Sequence, residues 1–256
     1  QMSAPKISVI TPCYNAEHYL KQMINSVISQ TYVKWELIIV DDCSNDNSVK
    51  IIKKFMRSDT RIKLLKLKNR SGAAFARNIA IKVAKGRYLT FLDADDYWDN
   101  NFLKYSKKSI KGHSIIYSEL NFVNSDGKFI RRMKIVPKVN YNGILKGTPI
   151  SCISVFIDLE KIGKKFFPLN CHREDLAYWL LLLKTCHEAY GFRFCEANYR
   201  YRVGSSSNKI QMAIKTWQDY RNQHNISFLR SIYFFSYYGF NSFKKFFLFY
   251  LIKLFK

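Results

Sequence analysis

The chain has 256 residues, enough for one α/β domain with a full core, and 42 Lys and Arg against 19 Asp and Glu give it a formal net charge of +23. This balance predicts a negatively charged partner, either a nucleic acid, an anionic membrane surface or a phosphorylated small molecule. The six cysteines form no Cys-x-x-Cys pair, which argues against a zinc site or a disulfide framework and predicts reduced thiols.

Roughly the first ninety residues alternate short apolar strands with amphipathic helices. Such alternation predicts a parallel, doubly wound sheet flanked by helices. Polar loops end three of the strands, at 12–15, 41–42 and 93–96, and would converge on one crevice. The predicted strands are Ile7–Thr11, Trp35–Val40, Ile62–Leu67 and Tyr88–Leu92, and the predicted helices are Ala16–Ser29, Asn47–Met56 and Gly72–Ala84.

The pattern changes after residue 100. The sequence Asn-Ser-Asp-Gly at 124–127 predicts a hairpin turn between two strands. Beyond residue 210 the chain is helical and different in composition, so we predict a domain over 1–209, with halves of about 1–100 and 101–209, and a helical tail over 210–256. The other predicted elements are strands at Ser114–Tyr117, Gly127–Met133, Val155–Ile157 and Phe192–Tyr201 and a helix at Arg173–Leu183.

Three acids, Asp93, Asp95 and Asp96, follow the fourth predicted strand. Carboxylates this close repel each other unless a cation or a proton intervenes. The Asp-x-Asp spacing places Asp93 and Asp95 on one side of an extended chain, ~7 Å apart, near enough to share a divalent ion or its water shell. The alternative interpretation is a solvated acidic turn that caps the next helix.

Five ordered motifs give the chain a resemblance to a known enzyme family. They are residues 7–15, residues 29–32 with 36–46, residues 76–86, residues 91–96, and residues 173–175 with 201–207. With these motifs the chain, over roughly residues 5–207, resembles the family-2 glycosyltransferases of GT-A fold that build bacterial surface polysaccharides of the teichuronic acid, O-antigen or capsule type. The resemblance implies transfer of a sugar from a nucleotide diphosphate, expected to be UDP, to a hydroxyl with inversion.

The resemblance also implies a nucleotide-sugar site in the first half. Tyr14 would stack on the base, and Asp42 would accept the imide hydrogen of uracil while Asp41 caps the following turn. Arg77 would either hold a phosphate in bidentate fashion or pair with a site aspartate. The residues implied for this site are Thr11, Pro12, Tyr14, Asp42, Arg77, Asp93, Ala94 and Asp95.

A divalent cofactor, Mn²⁺ or Mg²⁺, is implied as well, because it stabilises the diphosphate leaving group. Asp95 would coordinate it directly, and Asp93 would reach the ribose or a metal-bound water. The general base of an inverting displacement must lie across the crevice, and Asp175 fits this role, with Glu174 as orienter or second choice. Both acids are also explained as first-turn carboxylates that the helix dipole favours.

Further residues are implied to border the substrates. Asp96 and Trp98 would lie beside the acceptor or the donor sugar. Arg202 and Ser205, with Arg200, would form a loop that folds over the diphosphate. A flexible serine-rich linker is the alternative for that loop.

The C-terminal stretch from Ile226 to Lys256 holds thirteen aromatic residues, five basic residues and no acid. Its longest uncharged run, residues 231–243, has thirteen residues, which is too short to span a bilayer. A basic aromatic helix predicts contact with an anionic membrane surface, and packing onto the domain or onto a second subunit is the alternative. No secretory signal opens the chain, so we expect a cytoplasmic protein, peripheral on the inner face of the plasma membrane, with its glycan acceptor on a lipid carrier.

Two other classes of protein were weighed against this interpretation. A nucleic-acid-binding protein would explain the charge, but its basic residues should form a stripe beside aromatic platforms, whereas here the lysines are scattered and the aromatics cluster at the C-terminus. A dehydrogenase would need a glycine-rich turn after the first strand, where Thr-Pro-Cys-Tyr-Asn stands. We therefore expect a metal-dependent inverting glycosyltransferase with no nucleic acid partner, and keep a nucleic-acid-binding or other nucleotide-binding α/β protein as the alternative.

Overall fold

A computed structural model describes residues 6–147, 149–201 and 209–240 of the chain. Its first half alternates strands and helices as the apolar periodicity predicts, with boundaries within about two residues of those expected. These elements are β1 (Ile7–Cys13), α1 (Glu17–Ile28), β2 (Trp35–Asp41), α2 (Ser48–Ser58), β3 (Ile62–Lys66), α3 (Ala73–Val83) and β4 (Tyr88–Phe91).

The second half mixes strands with short helices. The predicted hairpin forms at 124–127, where the Asn124 side chain accepts from the N–H groups of Asp126 and Lys128. The elements are β5 (Tyr97–Trp98), α4 (Phe102–Ser109), β6 (Ile115–Val123), β7 (Phe129–Met133), β8 (Lys138–Asn140), α5 (Tyr141–Lys146), β9 (Val155–Asp158), α6 (Leu159–Ile162), α7 (Glu174–Cys186), β10 (Glu188–Arg200) and α8 (Lys209–Gln218). Residues 219–223 form a wider helical turn, and residues 228–240 are helical.

The ten strands of the described residues join one sheet, whose main order is β3-β2-β1-β4-β9-β6-β10-β5, with β7 beside β6 and β8 beside β10. The strands β3, β2, β1 and β4 run parallel, and β9 pairs antiparallel with β4 and with β6. Cys13 of β1 lies opposite Asp41 of β2, which lies opposite Lys66 of β3, so the loops after these strands start at the same edge. The predicted α/β fold with a mostly parallel central sheet is confirmed.

Two apolar cores cover the two faces of this sheet. Residues alternate between them along each strand, so Val9 faces one core and Ile10 the other. Helices α1 and α4 pack on the Val9 face, and α3, α5 and α7 pack on the Ile10 face. Because both faces are covered, β2 is buried along its whole length, and its middle, Leu37 to Val40, is a continuous apolar run in the sequence.

The described part of the C-terminal segment packs into the domain. Tyr220, Ile226 and Phe234 are buried in the same core as Ile10 and Leu182. The predicted boundary at 209/210 therefore does not separate two packing units, because the segment contributes side chains to the main core. Residues 241–256 of the predicted tail lie outside the described residues. Within the described ranges, no helix combines the length and the apolar character needed to cross a bilayer.

Candidate active site

The loops that follow β1, β2 and β4 border a cleft of about 290 Å³ at the carboxyl edge of the sheet. This is the edge at which open α/β sheets bind ligands. The cleft brings together eight residues that the sequence assigns to substrate or metal. Its lining consists of Pro12, Cys13, Tyr14, Ala16, Asp42, Ala73, Arg77, Asp93, Ala94, Asp95, Asp96 and Tyr199.

Tyr14 lies at the mouth of the cleft with 39% of its surface exposed. The guanidinium carbon of Arg70 lies 3.9 Å from the centre of its ring. An aromatic ring with an exposed face and a cation on it is suited to stack on a flat, electron-rich base. Arg70 was not singled out in the sequence, although its place in the loop after β3 is a signal, since that loop opens at the same edge.

Asp42 is 4% exposed, and its two carboxylate oxygens accept the backbone N–H groups of Ser71 and Gly72, at 2.6 and 2.8 Å. These bonds fix the start of α3 relative to β2. Each oxygen has a further lone pair that could accept a hydrogen bond, and the predicted contact with uracil stays a prediction. Asp41 is buried and accepts weakly from the N–H of Ser44 at 3.4 Å, as a turn-capping residue would.

Arg77 joins the two halves of the domain. It is 5% exposed, and its Nη2 donates to Asp93 Oδ1 at 2.7 Å. Its Nη1 lies 3.9 Å from Glu174 Oε1, on the first turn of α7. Burial alone would lower the pKa of Arg77, but Asp93 and the other nearby anionic groups outweigh it and raise the pKa, so the guanidinium stays charged. Arg77 thus pairs with a site aspartate in the structure, and the phosphate contact stays a prediction.

Asp175 lies beside Glu174 in the first turn of α7, and 41% of its side chain is exposed. Arg173 Nη2 lies 3.8 Å from its Oδ2. Neither Asp175 nor Glu174 belongs to the lining of the cleft, and Arg77 connects Glu174 to Asp93 at its wall. An accessible carboxylate at this place can take a proton from an acceptor hydroxyl that approaches from the second half of the domain.

The acidic loop 93–96 is held from below by Arg200. This residue ends β10 and is 4% exposed; its backbone N–H donates to Asp96 Oδ1 at 2.7 Å and its Nε donates to the carbonyl oxygen of Asp95 at 2.9 Å. Its Nη2 also donates to Gln22 Oε1 at 2.6 Å. The sequence groups Arg200 with the loop over the diphosphate, whereas the structure buries it as a support of the acidic loop. Arg202 and Ser205 lie outside the described residues.

The side chains of two predicted substrate residues, Thr11 and Trp98, are buried, which leaves only a backbone contact as a prediction for Thr11. Thr11 is fully buried, and its hydroxyl points to the sulfur of Met23, 3.9 Å away, because its place in β1 turns it toward α1. Trp98 is 2% exposed, its indole N–H donates to the carbonyl of Ile153, and its ring stacks on Phe102 at 4.1 Å. Both side chains are packing residues and neither borders the cleft.

The acidic loop suits a divalent cation only together with a substrate. Among the described residues, no three His, Cys, Asp or Glu side chains form a group that would hold a metal alone. Burial, and then the neighbouring Asp93 and Asp95, raise the pKa of Asp96 well above its usual range. Mg²⁺ commonly takes one or two carboxylates and completes its shell with substrate phosphates and water, so Asp95 and Asp93 fit that pattern.

Known proteins resemble this chain in sequence and in fold. The glycosyl transferase family 2 pattern matches residues 8–161. A Bacillus subtilis (strain 168) protein named for teichuronic acid biosynthesis, the glycosyltransferase TuaG, is 40% identical over 94% of this chain and 97% of its own. The Escherichia coli UDP-Glc:alpha-D-GlcNAc-diphosphoundecaprenol beta-1,3-glucosyltransferase WfgD is 38% identical over 82% of this chain and 83% of its own. The structure of S. aureus TarS 1–349 in complex with UDP-GlcNAc aligns with a TM-score of 0.65 and 23% identity, over 85% of this chain and 67% of that one, which shows a shared fold.

Proposed function

Since the chain belongs to glycosyl transferase family 2, we propose that it moves a sugar from a UDP-sugar to a hydroxyl of a lipid-linked glycan in bacterial surface polysaccharide synthesis, with inversion at the anomeric carbon. The observation that carries the proposal is the cleft in which Tyr14, Asp42, Arg77, Asp93 and Asp95 meet. The name of the relative WfgD, which gives a UDP-Glc donor and a diphosphoundecaprenol acceptor, supports the donor and the lipid carrier. The nucleic-acid-binding alternative is not favoured, because the relatives are named as glycosyltransferases.

The cleft offers a place for each part of the donor. The Tyr14 ring, backed by Arg70, would stack on uracil, and Asp42 would accept its imide hydrogen. Arg77 would turn its buried guanidinium toward the diphosphate while it holds Asp93. Asp95 and Asp93 would hold Mn²⁺ or Mg²⁺, which as a Lewis acid stabilises the charge that grows on the leaving diphosphate.

The acceptor would enter from the side of α7. Asp175 would take the proton of the attacking hydroxyl on the face of the sugar opposite the diphosphate, as an inverting displacement requires. The Oε1 atom of Glu174 lies 3.9 Å from Nη1 of Arg77, so Glu174 would orient the acceptor relative to the bound donor. Both acids stand in the first turn of α7, the end of the helix at which the dipole favours negative charge.

The test is donor binding and transfer by matched variants. Purified protein is titrated with a panel of UDP-sugars with Mn²⁺, with Mg²⁺ and with chelator, and transfer to a lipid-linked acceptor is followed by UDP release. We expect Asp95→Ala to lose metal-dependent donor binding. We expect Asp175→Asn to bind UDP like the parent and to lose transfer by about 10²-fold or more. The variant Glu174→Gln distinguishes the role of Glu174 from that of Asp175. The surface variant Asp126→Asn is the control.

Two results would contradict the proposal. If Asp175→Asn transfers sugar at the parent rate, the assignment of the base is wrong. If no UDP-sugar binds more tightly with a divalent cation than with chelator, the metal-dependent donor site is wrong.

We also propose that the C-terminal segment brings the enzyme to the anionic inner face of the plasma membrane. Helix 228–240 exposes apolar side chains along one side, including Leu229 at 78% and Phe240 at 66%. Residues 220–256 contain no acid, so basic side chains would meet anionic headgroups without repulsion. Such a location would suit an acceptor that is anchored in the membrane.

A further inference from the structure

The helical turn Asp219–Gln223 contacts the segment that leads into α7. Asp219 is 1% exposed, although it carries a carboxylate. Its Oδ1 accepts the backbone N–H of His172 at 3.1 Å, and its Oδ2 accepts that of Arg173 at 2.9 Å. Both donors immediately precede the first turn of α7, which carries Glu174 and Asp175. A residue of the C-terminal segment thus holds the backbone from which the candidate base extends.

This contact is anchored on both sides. Next to Asp219, the buried Tyr220 donates its hydroxyl to the carbonyl oxygen of Leu145, in α5. Ile226 and Phe234 are buried in the main core, and the backbone N–H of His224 donates to the carbonyl oxygen of Asp219. The Asp219 carboxylate therefore has a fixed position relative to the core. Through its two hydrogen bonds it also fixes the position of the backbone at residues 172 and 173.

Among the described residues, the acceptors for these two N–H groups come from Asp219 and from no helix of the first half. The N–H groups of residues 172 and 173 lie ahead of the hydrogen-bonded ladder of α7 and need an acceptor from elsewhere. A carboxylate at this end of the helix is also stabilised by the helix dipole. Without it, the chain entering α7 would keep its apolar packing further along the helix but lose the bonds that set its first residues.

We propose that Asp219 is a positioning residue for the candidate base, so that the C-terminal segment determines the geometry of Asp175 relative to the donor. This inference rests on the proposed function, since it needs Asp175 or Glu174 to act on the acceptor. Displacing a base by about 1 Å lowers the rate on the order of 10²-fold, whereas the donor site inside the cleft keeps its own contacts.

The experiment compares two buried aspartates that each cap a helix start. Asp219→Asn keeps one acceptor oxygen and places an amide against the second N–H group. Asp158→Asn is the matched control, because Asp158 is 2% exposed and accepts the N–H of Glu160 at the start of α6, and it pairs with Arg87. For each full-length variant, kcat for transfer, the Kd for UDP, the fraction of molecules that bind UDP and the melting temperature are measured.

For Asp219→Asn we expect kcat to fall by about 10- to 100-fold, with the Kd for UDP within about two-fold of the parent and the binding-competent fraction unchanged. Asp158→Asn should lose at least as much thermal stability and keep the parent kcat. A purely structural role for Asp219 would lower the binding-competent fraction and leave kcat per competent molecule unchanged. Asp219→Ser, whose hydroxyl can accept from one of the two donors, should give the same division between kcat and Kd.

The outcomes separate this inference from the proposed function. If Asp175→Asn loses transfer and Asp219→Asn keeps the parent kcat, the positioning role is wrong and the proposed base stands. If both Asp219 variants fail to fold while Asp158→Asn folds, Asp219 serves folding and the positioning role is again wrong. If Asp175→Asn and Glu174→Gln both transfer at the parent rate, the proposed base itself is wrong.

Discussion

Two buried guanidinium groups stabilise the acidic loop 93–96, and they do so in different ways. Arg77 forms an ion pair with the Asp93 carboxylate, whereas Arg200 bonds mainly to backbone and amide oxygens and supports the loop from below. Arg77 has a polar atom to spare, because its Nε is buried and has no hydrogen-bond partner among the described residues. A buried N–H group without a hydrogen-bond partner destabilises the fold. A phosphate oxygen of the UDP-sugar would supply the missing acceptor.

We therefore expect Arg77→Met to weaken UDP binding by about 10- to 100-fold, because it removes both the phosphate donor and the charge that balances Asp93. The matched control is Arg87→Met, since Arg87 pairs with Asp158 at 2.8 Å and lies outside the cleft. It should lose stability and keep the parent affinity. Calorimetric titration with UDP and Mn²⁺ measures both variants. Equal affinity in Arg77→Met and the parent would show that Arg77 does not contact the diphosphate.

At the scale of elements, the periodicity of apolar residues is sufficient to predict the strands and helices of the first half, but not all of those in the second half. Strands β1 to β4 are long enough, and the crossover helices amphipathic enough, to be predicted with small errors in their ends. The two-residue strand β5 and the short helix α5 are set by tertiary contacts and carry no periodic signal. Strand β10 begins at Glu188, four residues before the predicted start at Phe192. Its register shifts between Phe192 and Ala197, which interrupts the apolar alternation in the sequence.

The site divides in the same way. The acidic loop, Tyr14 and Asp42 stand in contiguous motifs at strand ends, so the sequence locates them. Arg200 acts on a loop 104 residues away, and Asp219 acts on residues 46 and 47 positions away. A single sequence contains no signal that pairs residues at such separations, since their proximity comes from the order of strands in the sheet and from the packing of the C-terminal segment.

Glu36 links the first elements of the sheet. It is 2% exposed; its Oε1 accepts the Ser8 hydroxyl of β1 and the Lys85 backbone N–H, and its Oε2 accepts Lys63 Nζ of β3, all at 2.6 Å. Burial would raise the pKa of Glu36, but these three donors outweigh it and lower the pKa below its ordinary 4.5. A lowered folded-state pKa means that the stabilisation is present above pH 4.5 and is lost as the pH falls through the folded-state pKa.

Accordingly, Glu36→Gln should lower the free energy of unfolding by about 1.5–3 kcal/mol at pH 7, the range for hydrogen bonds to a charged group. The difference from the parent should shrink as the pH falls below 4.5, because the unfolded parent then binds a proton at Glu36, whereas the folded parent binds it only at its lower folded-state pKa. Urea unfolding at pH 7 and near pH 4 measures this. Glu160→Gln is the control, since Glu160 is 62% exposed and pairs with Arg87 at the surface, and it should change stability by less than about 0.5 kcal/mol. A constant difference between the parent and Glu36→Gln at both pH values would contradict the assigned ionisation.

For the whole molecule, the charge of +23 and the packing of the C-terminal segment have to be considered together. Helix 228–240 buries Ser231 and Phe234 against the domain, and its other side exposes Leu229, Ile232 and Phe240. Lys146 of α5 lies near the rings of Tyr233 and Tyr237, at 5.1 and 4.7 Å, so basic and aromatic groups stand side by side on this surface. The same segment holds Asp219 against the start of α7, which connects a surface suited to a membrane with the candidate base.

Binding to vesicles tests this surface. The parent should co-sediment with vesicles that contain phosphatidylglycerol and only weakly with pure phosphatidylcholine, and salt should weaken the binding. Fully burying a Leu or Ile side chain is worth about 1.5–3 kcal/mol, so Leu229→Ser with Ile232→Ser should weaken binding by about tenfold or more even if each is half buried. The control combines Val33→Ser with Val83→Ser, which are 62% and 43% exposed elsewhere on the domain. If the Leu229 and Ile232 variant binds vesicles like the parent, the membrane contact lies elsewhere. If, in addition, the parent is a dimer and this variant is a monomer, the exposed side of the helix is a subunit interface.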